Sequence, residues 1–278
     1  MKQVKLLAVL LAVAMLAAYV SPWAVSGIKG YLFAPDENVA EGSEKESITL
    51  KKGNYVYFGS YLGEPILWKV VDSGEKLLLV SEKIICFKSF DAYGEDSEYH
   101  TTHDTEVLGS SEWEDCTLKE WLNSDEMQVS YSHCPPDSDS VFGGCNAYEN
   151  EKGFLCEDNF TSEQKALISQ DGVFLPGREM LKKYFNSKTL KKSCSACAIT
   201  SNDSPYIVSS NQKVWYWTST PVNHNNSGVV AVTSSGTFYK TLASDSTMGV
   251  CPALYLATDI VVSRGGSGSL SDPYIIIG

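Results

Sequence analysis

Trp215-Tyr-Trp-Thr-Ser-Thr220, Gly228-Val-Val-Ala-Val232, Thr237-Phe-Tyr-Lys240 and Val250-Cys-Pro-Ala-Leu-Tyr-Leu256 decide the fold. Each run is short and rich in β-branched or aromatic residues, and Asn, Ser and Gly separate them. That pattern predicts an antiparallel meander. Trp215 and Trp217 stand at i and i+2, so they share one face of a strand, and Tyr216 takes the other. Trp217 is expected in the core, because a large aromatic on an inner face is buried far more often than displayed.

Further upstream the period changes. Trp113, Leu118, Trp121 and Leu122 form one apolar stripe, which predicts a short helix over 117–123. Before it, Ile48-Thr-Leu50, Tyr55-Val-Tyr-Phe58, Ile66-Leu-Trp-Lys-Val-Val71 and Leu77-Leu-Leu-Val-Ser81 read as strands parted by glycine turns. Residues 128–158 are a long polar insert with Pro135-Pro136, Gly143-Gly144 and three cysteines. Thr161 and Gln164 form a capping box that opens a second helix. Val173-Phe-Leu175 reads as a short buried strand, and Pro176-Gly177 start a third helix. The chain is therefore expected to be α+β: a linker at 27–47, one globular domain at 48–262, and a Gly/Ser-rich turn with a last strand at 263–278.

Lys2 and Lys5 precede an apolar run from Leu6 to Val20, which reads as a targeting segment over residues 1–26. Two outcomes stay open. Ala24 and Ser26 suit a cut before Gly27, giving a cleaved signal peptide. Leu6 to Val25 also has the length of a membrane anchor. Either places the rest of the chain outside the membrane, extracellular or at the cell surface. The chain carries a net charge of −12, and removing the two leader lysines leaves −14 for the exported part. No basic stripe stands out, which argues against nucleic acid as partner. The membrane is expected to be met only through the N-terminal segment. Eight cysteines in an exported chain suggest disulfides.

The blocks Phe58-Gly-Ser-Tyr61, Pro65-Ile-Leu-Trp-Lys-Val70, Trp113 through Asn123, Asn159 through Lys165, Tyr216-Trp-Thr-Ser219 and Val250-Cys-Pro-Ala-Leu254 occur in one order. As a set they resemble the bacterial domain of unknown function numbered 6273, over roughly residues 48–260. More distantly, Tyr216-Trp-Thr-Ser219 with Val250-Cys-Pro-Ala253 is similar to the C-type-lectin-like fold, which includes the formylglycine-generating, sulfatase-modifying enzymes. The resemblance implies a twisted antiparallel sheet with two or three short flanking helices. It also implies that late strands lie beside the early sheet. Relatives carry arginine where this chain has Cys251, and Cys86 is the cysteine of the early region, so a Cys86–Cys251 bridge is expected. Cys194-Ser-Ala-Cys197 is expected to be a structural disulfide.

The candidate chemistry is sparse. Trp215 is a candidate aromatic platform for a sugar or peptide. Asn223, His224 and Asn225 form a polar loop between late strands, where scaffolds often place binding groups. His100-Thr-Thr-His103-Asp104 lacks a matched third ligand and the Glu of zinc protease signatures, so no metal site is expected there. No calcium motif, phosphate loop or nucleophile elbow is present, and no cofactor or catalytic residue is assigned. The expected function is an exported, non-enzymatic binding or surface-display module for a glycan or surface protein. The alternative is a cysteine-dependent protein-modifying or redox enzyme related to the formylglycine generators, using Cys194 and Cys197.

Overall fold

The computed structural model describes residues 45–93, 103–132, 148, 150–200, 209–257, 261–263 and 266–277. The chain divides into two compact units, Met1–Gly42 and Ser43–Gly278, and the description concerns the second. The targeting segment expected at 1–26 and most of the 27–47 linker lie outside the described residues. Among the described residues, no helix is long and apolar enough to cross a membrane.

The chain first lays down β1 (Lys45–Ser47), β2 (Tyr55–Tyr61), β3 (Glu64–Ser73), β4 (Leu77–Ser81) and β5 (Cys86–Phe87). Helix α1 (His103–Leu108), a 3-10 turn at Trp113–Asp115 and α2 (Thr117–Asn123) follow. Then come α3 (Ser162–Leu167), β6 (Ile168–Phe174), α4 (Arg178–Tyr184) and α5 (Ala196–Thr200). The late strands are β7 (Tyr216–Pro221), β8 (Gly228–Val232), β9 (Phe238–Leu242), β10 (Gly249–Val250), β11 (Ala253–Leu256), β12 (Val261–Ser263) and β13 (Tyr274–Ile275). A six-stranded sheet runs β13-β2-β3-β4-β11-β6, a five-stranded sheet runs β5-β10-β7-β8-β9, and β1 pairs with β12. All the pairings are antiparallel except β13 with β2 and β10 with β7. This is a mixed α+β architecture, mostly antiparallel sheet with short helices.

The meander read from the sequence holds for three strands and then departs. β7, β8 and β9 are successive antiparallel neighbours. The fourth run, 250–256, splits at Cys251-Pro252. Its first part, β10, lies beside β7 in the five-stranded sheet, and its second, β11, joins β4 and β6 in the other. Proline has no N–H for a ladder, so a strand breaks there. The Pro252 carbonyl instead accepts from Ser81 N at 2.9 Å. One sequence run thus ties the two sheets together. Ile48–Leu50, expected as a strand, has no ladder, and the extended segment lies just before it at β1. The bulge in β2 falls between Tyr57 and Ser60, at Gly59 with φ 65°. A Cβ there would stand 2.1 Å from the Phe160 ring, so this position is closed to any side chain.

Two apolar clusters form because the central strands are buried on both faces. Leu77 and Leu79 of β4 enter the first cluster, and Leu78 and Val80 enter the second. The first cluster holds Trp68, Trp121 and Trp217, all completely buried. Helix α2 begins and ends as the stripe predicted, and Leu118, Trp121 and Leu122 face this core. The buried Asp91 carboxylate fixes its start by accepting from Ser110 N, Thr117 N and Thr117 Oγ1. The capping box at Thr161 and Gln164 is formed in both directions. The insert at 128–158 is more than a polar loop, since Tyr148, Phe154 and Cys156 are core residues. Cys134 and Cys145 of that insert lie outside the described residues.

Candidate functional site

The three aromatics at the head of β7 separate as their alternation requires. Trp217 is buried, its indole Nε1 donates to Lys88 O at 2.8 Å, and its ring meets Phe90 edge-on. Tyr216 enters the second cluster and donates its hydroxyl to Leu190 O at 2.8 Å. Burial holds that phenol well above its ordinary range. Trp215 shares the Trp217 face but is only partly covered. Its ring lies edge-on to Tyr239, 5.7 Å between centroids, and Tyr239 is 59% exposed.

The strand register explains this pairing. Trp217, Ala231 and Tyr239 stand opposite one another across β7, β8 and β9. One step further along, Thr233 and Thr237 close the β8–β9 hairpin, with Thr233 N bonded to Thr237 O at 2.7 Å. Alternation puts both threonines on the Trp215 and Tyr239 face. Thr233 Oγ1 lies 2.8 Å from Ser235 Oγ and 2.8 Å from Thr237 Oγ1. This end of the five-stranded sheet therefore carries two aromatic rings, with Tyr239 on the edge strand β9, and three clustered hydroxyls at the β8–β9 turn.

The loop residues expected to join Trp215 do not. Asn223, His224 and Asn225 are exposed in the β7–β8 turn, at the far end of β7, about 20 Å from Trp215 at a strand's rise per residue. That turn is firmly held. His224 takes φ 59°, Asn225 Oδ1 accepts from Ser227 N at 3.0 Å, and Asn226 O accepts from Ser111 N at 2.7 Å. These residues form a rigid polar turn separate from the aromatic rim.

The cysteines also depart from expectation. Cys86, Cys116, Cys156, Cys194, Cys197 and Cys251 carry no disulfide. The expected Cys86–Cys251 bridge fails on alternation. Val250 stands opposite Cys86 in the β5–β10 ladder, so these two share the first cluster. Cys251, one residue on, faces the second cluster, where its Sγ donates to Ser81 O at 3.4 Å. The expected Cys194–Cys197 bridge is likewise absent. Cys194 is buried in the second cluster, while Cys197 packs against the first and its Sγ lies 3.0 Å from Ser195 Oγ. Burial lifts the Cys194 thiol to about 11 and the Cys197 thiol to about 12. Glu64 receives the backbone N–H groups of Ala196 and Cys197, so the start of α5 is filled by a carboxylate, not a thiolate. His100 and the side chains of His103 and Asp104 lie outside the described residues.

One polar cluster had no sequence signal. Lys88 is fully buried, with its ammonium 4.6 Å from the Trp121 ring centre and 4.4 Å from that of Tyr148. Glu151 of the insert pairs with it. Nothing local to Cys86-Phe-Lys88 announces a buried cation, because Trp121, Tyr148 and Glu151 reach it from distant positions. Among the described residues no group of three or more His, Cys, Asp or Glu gathers as a metal site.

The profile of the family described as "Domain of unknown function (DUF6273)" matches residues 74–258, two thirds of the chain. The chain belongs to the DUF6273 family. The DUF6273 match takes in both late hairpins, the rim aromatics and the buried lysine, and begins after β3. β2 and β3 are nevertheless built into the same six-stranded sheet, through the β3–β4 ladder. No curated protein and no solved structure matches the chain.

Proposed function

We propose that this DUF6273 protein is an exported, non-enzymatic binding module of C-type-lectin-like build, and that its receptive surface is the Trp215–Tyr239 rim. The observation that carries the reading is the partly open Trp215 ring set against the 59%-exposed Tyr239 and flanked by the Thr233, Ser235 and Thr237 hydroxyls. Aromatic faces take up the apolar side of a sugar ring, and hydroxyls exchange hydrogen bonds with its edge. Tyr239 sits on β9 and Trp215 directly precedes β7, so little conformational entropy is lost on binding. The redox alternative draws no support from the thiols. Cys194 and Cys197 are held protonated by burial, whereas cysteine catalysis needs a lowered pKa and an accessible thiolate.

Affinity electrophoresis of the full chain through gels containing neutral polysaccharides tests this. Retardation by at least one polymer is expected, and Trp215→Ala with Tyr239→Ala should abolish it. Retardation that survives the double substitution would place the ligand elsewhere.

A further inference from the structure

A cationic belt borders the same rim. Residues 178–192 contain six of the chain's 22 basic residues and one of its 34 acids. Taking that +5 segment from a chain of −12 leaves −17 for everything else. This corrects the expectation that no basic stripe exists. Lys192 is buried against Glu82 and belongs to the interior. Arg178, Lys182, Lys183 and Lys188 are exposed, and Lys191 is half-buried.

The fold aims this belt at β9. The Arg178 guanidinium lies 5.6 Å, and the Lys182 ammonium 6.0 Å, from the Phe238 ring centre. Lys240, exposed, is on the same face of β9 as Phe238. The Lys191 side chain and the Ser187 carbonyl crowd Gly236 at the hairpin tip, so the turn after α4 abuts the Thr233–Thr237 hydroxyls. β9, the edge strand of its sheet, thus has Tyr239 beside Trp215 on one face, and Phe238 with the cations on the other.

Helix electrostatics accounts for only part of the belt. Lys182 and Lys183 complement the dipole at the C-terminal turn of α4. Arg178 occupies the first turn of that helix, where the dipole disfavours a cation. Lys188, Lys191 and Lys240 lie outside any helix. Within the belt the acid is Glu179, held below the ordinary carboxylate range by its hydrogen bond from Lys182. A cluster of like charge that repels itself, on an otherwise strongly acidic molecule, is a standing cost that an anionic ligand relieves.

Building on the rim as a sugar-binding surface, we infer that the ligand is an anionic glycan, a polymer carrying carboxylates or similar groups, which lies along β9. Its ring faces meet Trp215 and Tyr239, and its charges meet Arg178, Lys182, Lys191 and Lys240. A neutral glycan would use half of this surface, and a nucleic acid or lipid bilayer would use the other half alone.

Polygalacturonate and its methyl ester share a sugar backbone and differ in charge, so they separate the two contributions. The full chain, in non-ionic detergent, should bind polygalacturonate about tenfold or more tightly than the ester, and high salt should erase most of the difference. Lys182→Glu with Lys191→Glu and Lys240→Glu should bring polygalacturonate binding down to that of the ester. Equal, salt-indifferent binding of both polymers would overturn the anionic preference while leaving the sugar-binding rim intact. Polygalacturonate binding that persists in Trp215→Ala/Tyr239→Ala would overturn the rim itself. Phosphatidylglycerol vesicles or single-stranded DNA bound as tightly as polygalacturonate would overturn the inference in favour of a generic anion surface. Failure of both polymers to bind would overturn it outright.

Discussion

Trp217 in β7 and Trp215 just before that strand stand two residues apart with the same facing, yet they belong to different regions. The first is closed in by Lys88, Phe90 and Ala231, and its only polar atom is satisfied. The second meets an exposed tyrosine at the sheet edge. The inner region collects its parts from distant positions: Lys88 from beyond β5, Trp121 from α2, and Tyr148 and Glu151 from the insert. The rim is more local, built from Trp215, the β8–β9 hairpin and the helix α4 beside it. Interiors are assembled by packing and tolerate little loss, whereas the rim is free to be shaped by what it meets.

If that contrast is right, the largest effect comes from Trp217→Ala. It opens a cavity among residues with no exposure and removes a hydrogen bond to the Lys88 carbonyl, and should cost about 3–5 kcal/mol in denaturant unfolding. Trp215→Ala should cost clearly less. Similar losses at both positions would mean that the rim is core and that Trp215 is no platform.

The buried lysine sharpens the same contrast. Glu151→Gln removes the carboxylate paired with the buried Lys88 ammonium, and should cost about 3 kcal/mol. Adding Lys88→Met to Glu151→Gln should recover most of that loss, because the penalty belongs to the uncompensated charge. If the double variant is no more stable than Glu151→Gln, the ion pair is not what organises the insert over α2.

At the rim, Tyr239→Ser should change unfolding free energy by less than about 0.5 kcal/mol, as expected for an exposed side chain on an edge strand. Ligand retardation should nevertheless be weakened strongly. A loss of stability comparable to that of Glu151→Gln would recast Tyr239 as a packing residue.

Period-based signals were legible in this sequence, and assembly-based ones were not. Helix α2 and β4 could be read to the residue because each is a single unbroken pattern, and the capping box because it is a three-residue rule. The alternation at Trp215-Tyr-Trp217 gave the faces, with Trp217 in the first cluster and Tyr216 in the second, but did not tell the buried Trp217 from the partly open Trp215. Cys251-Pro252 misled because the run around it looks continuous, and only the second sheet shows why proline sits there. The same one-residue step undid the Cys86–Cys251 bridge, since nearness of strands does not fix which face a side chain takes. Lys88 was silent because a buried cation is defined by partners 33 to 63 residues away. The basic belt is visible in residues 178–192 once the acidic background is set aside, but its approach to β9 depends on α4 packing over Phe238.

Cys197 offers the smallest and most specific effect. In the folded protein its thiol titrates at about 12, chiefly because burial disfavours the thiolate, against an ordinary value of 9.0. A raised folded value means the protonated thiol is favoured by the native state. Its contribution is therefore fully present below pH 9 and is lost as pH rises toward 12. At pH 9 the unfolded thiol is half ionised and the folded one is not, which lowers stability by about 0.4 kcal/mol relative to neutral pH. Cys197→Ser should remove that decrement without changing the slope below pH 8. Alkylation gives a second measure. At pH 8 a thiol of this kind is thiolate in only about one molecule in ten thousand, so native labelling should be slow and should accelerate about tenfold per pH unit through pH 10. Rapid labelling at pH 7 would mean a lowered pKa at this position and would return the thiol chemistry to contention.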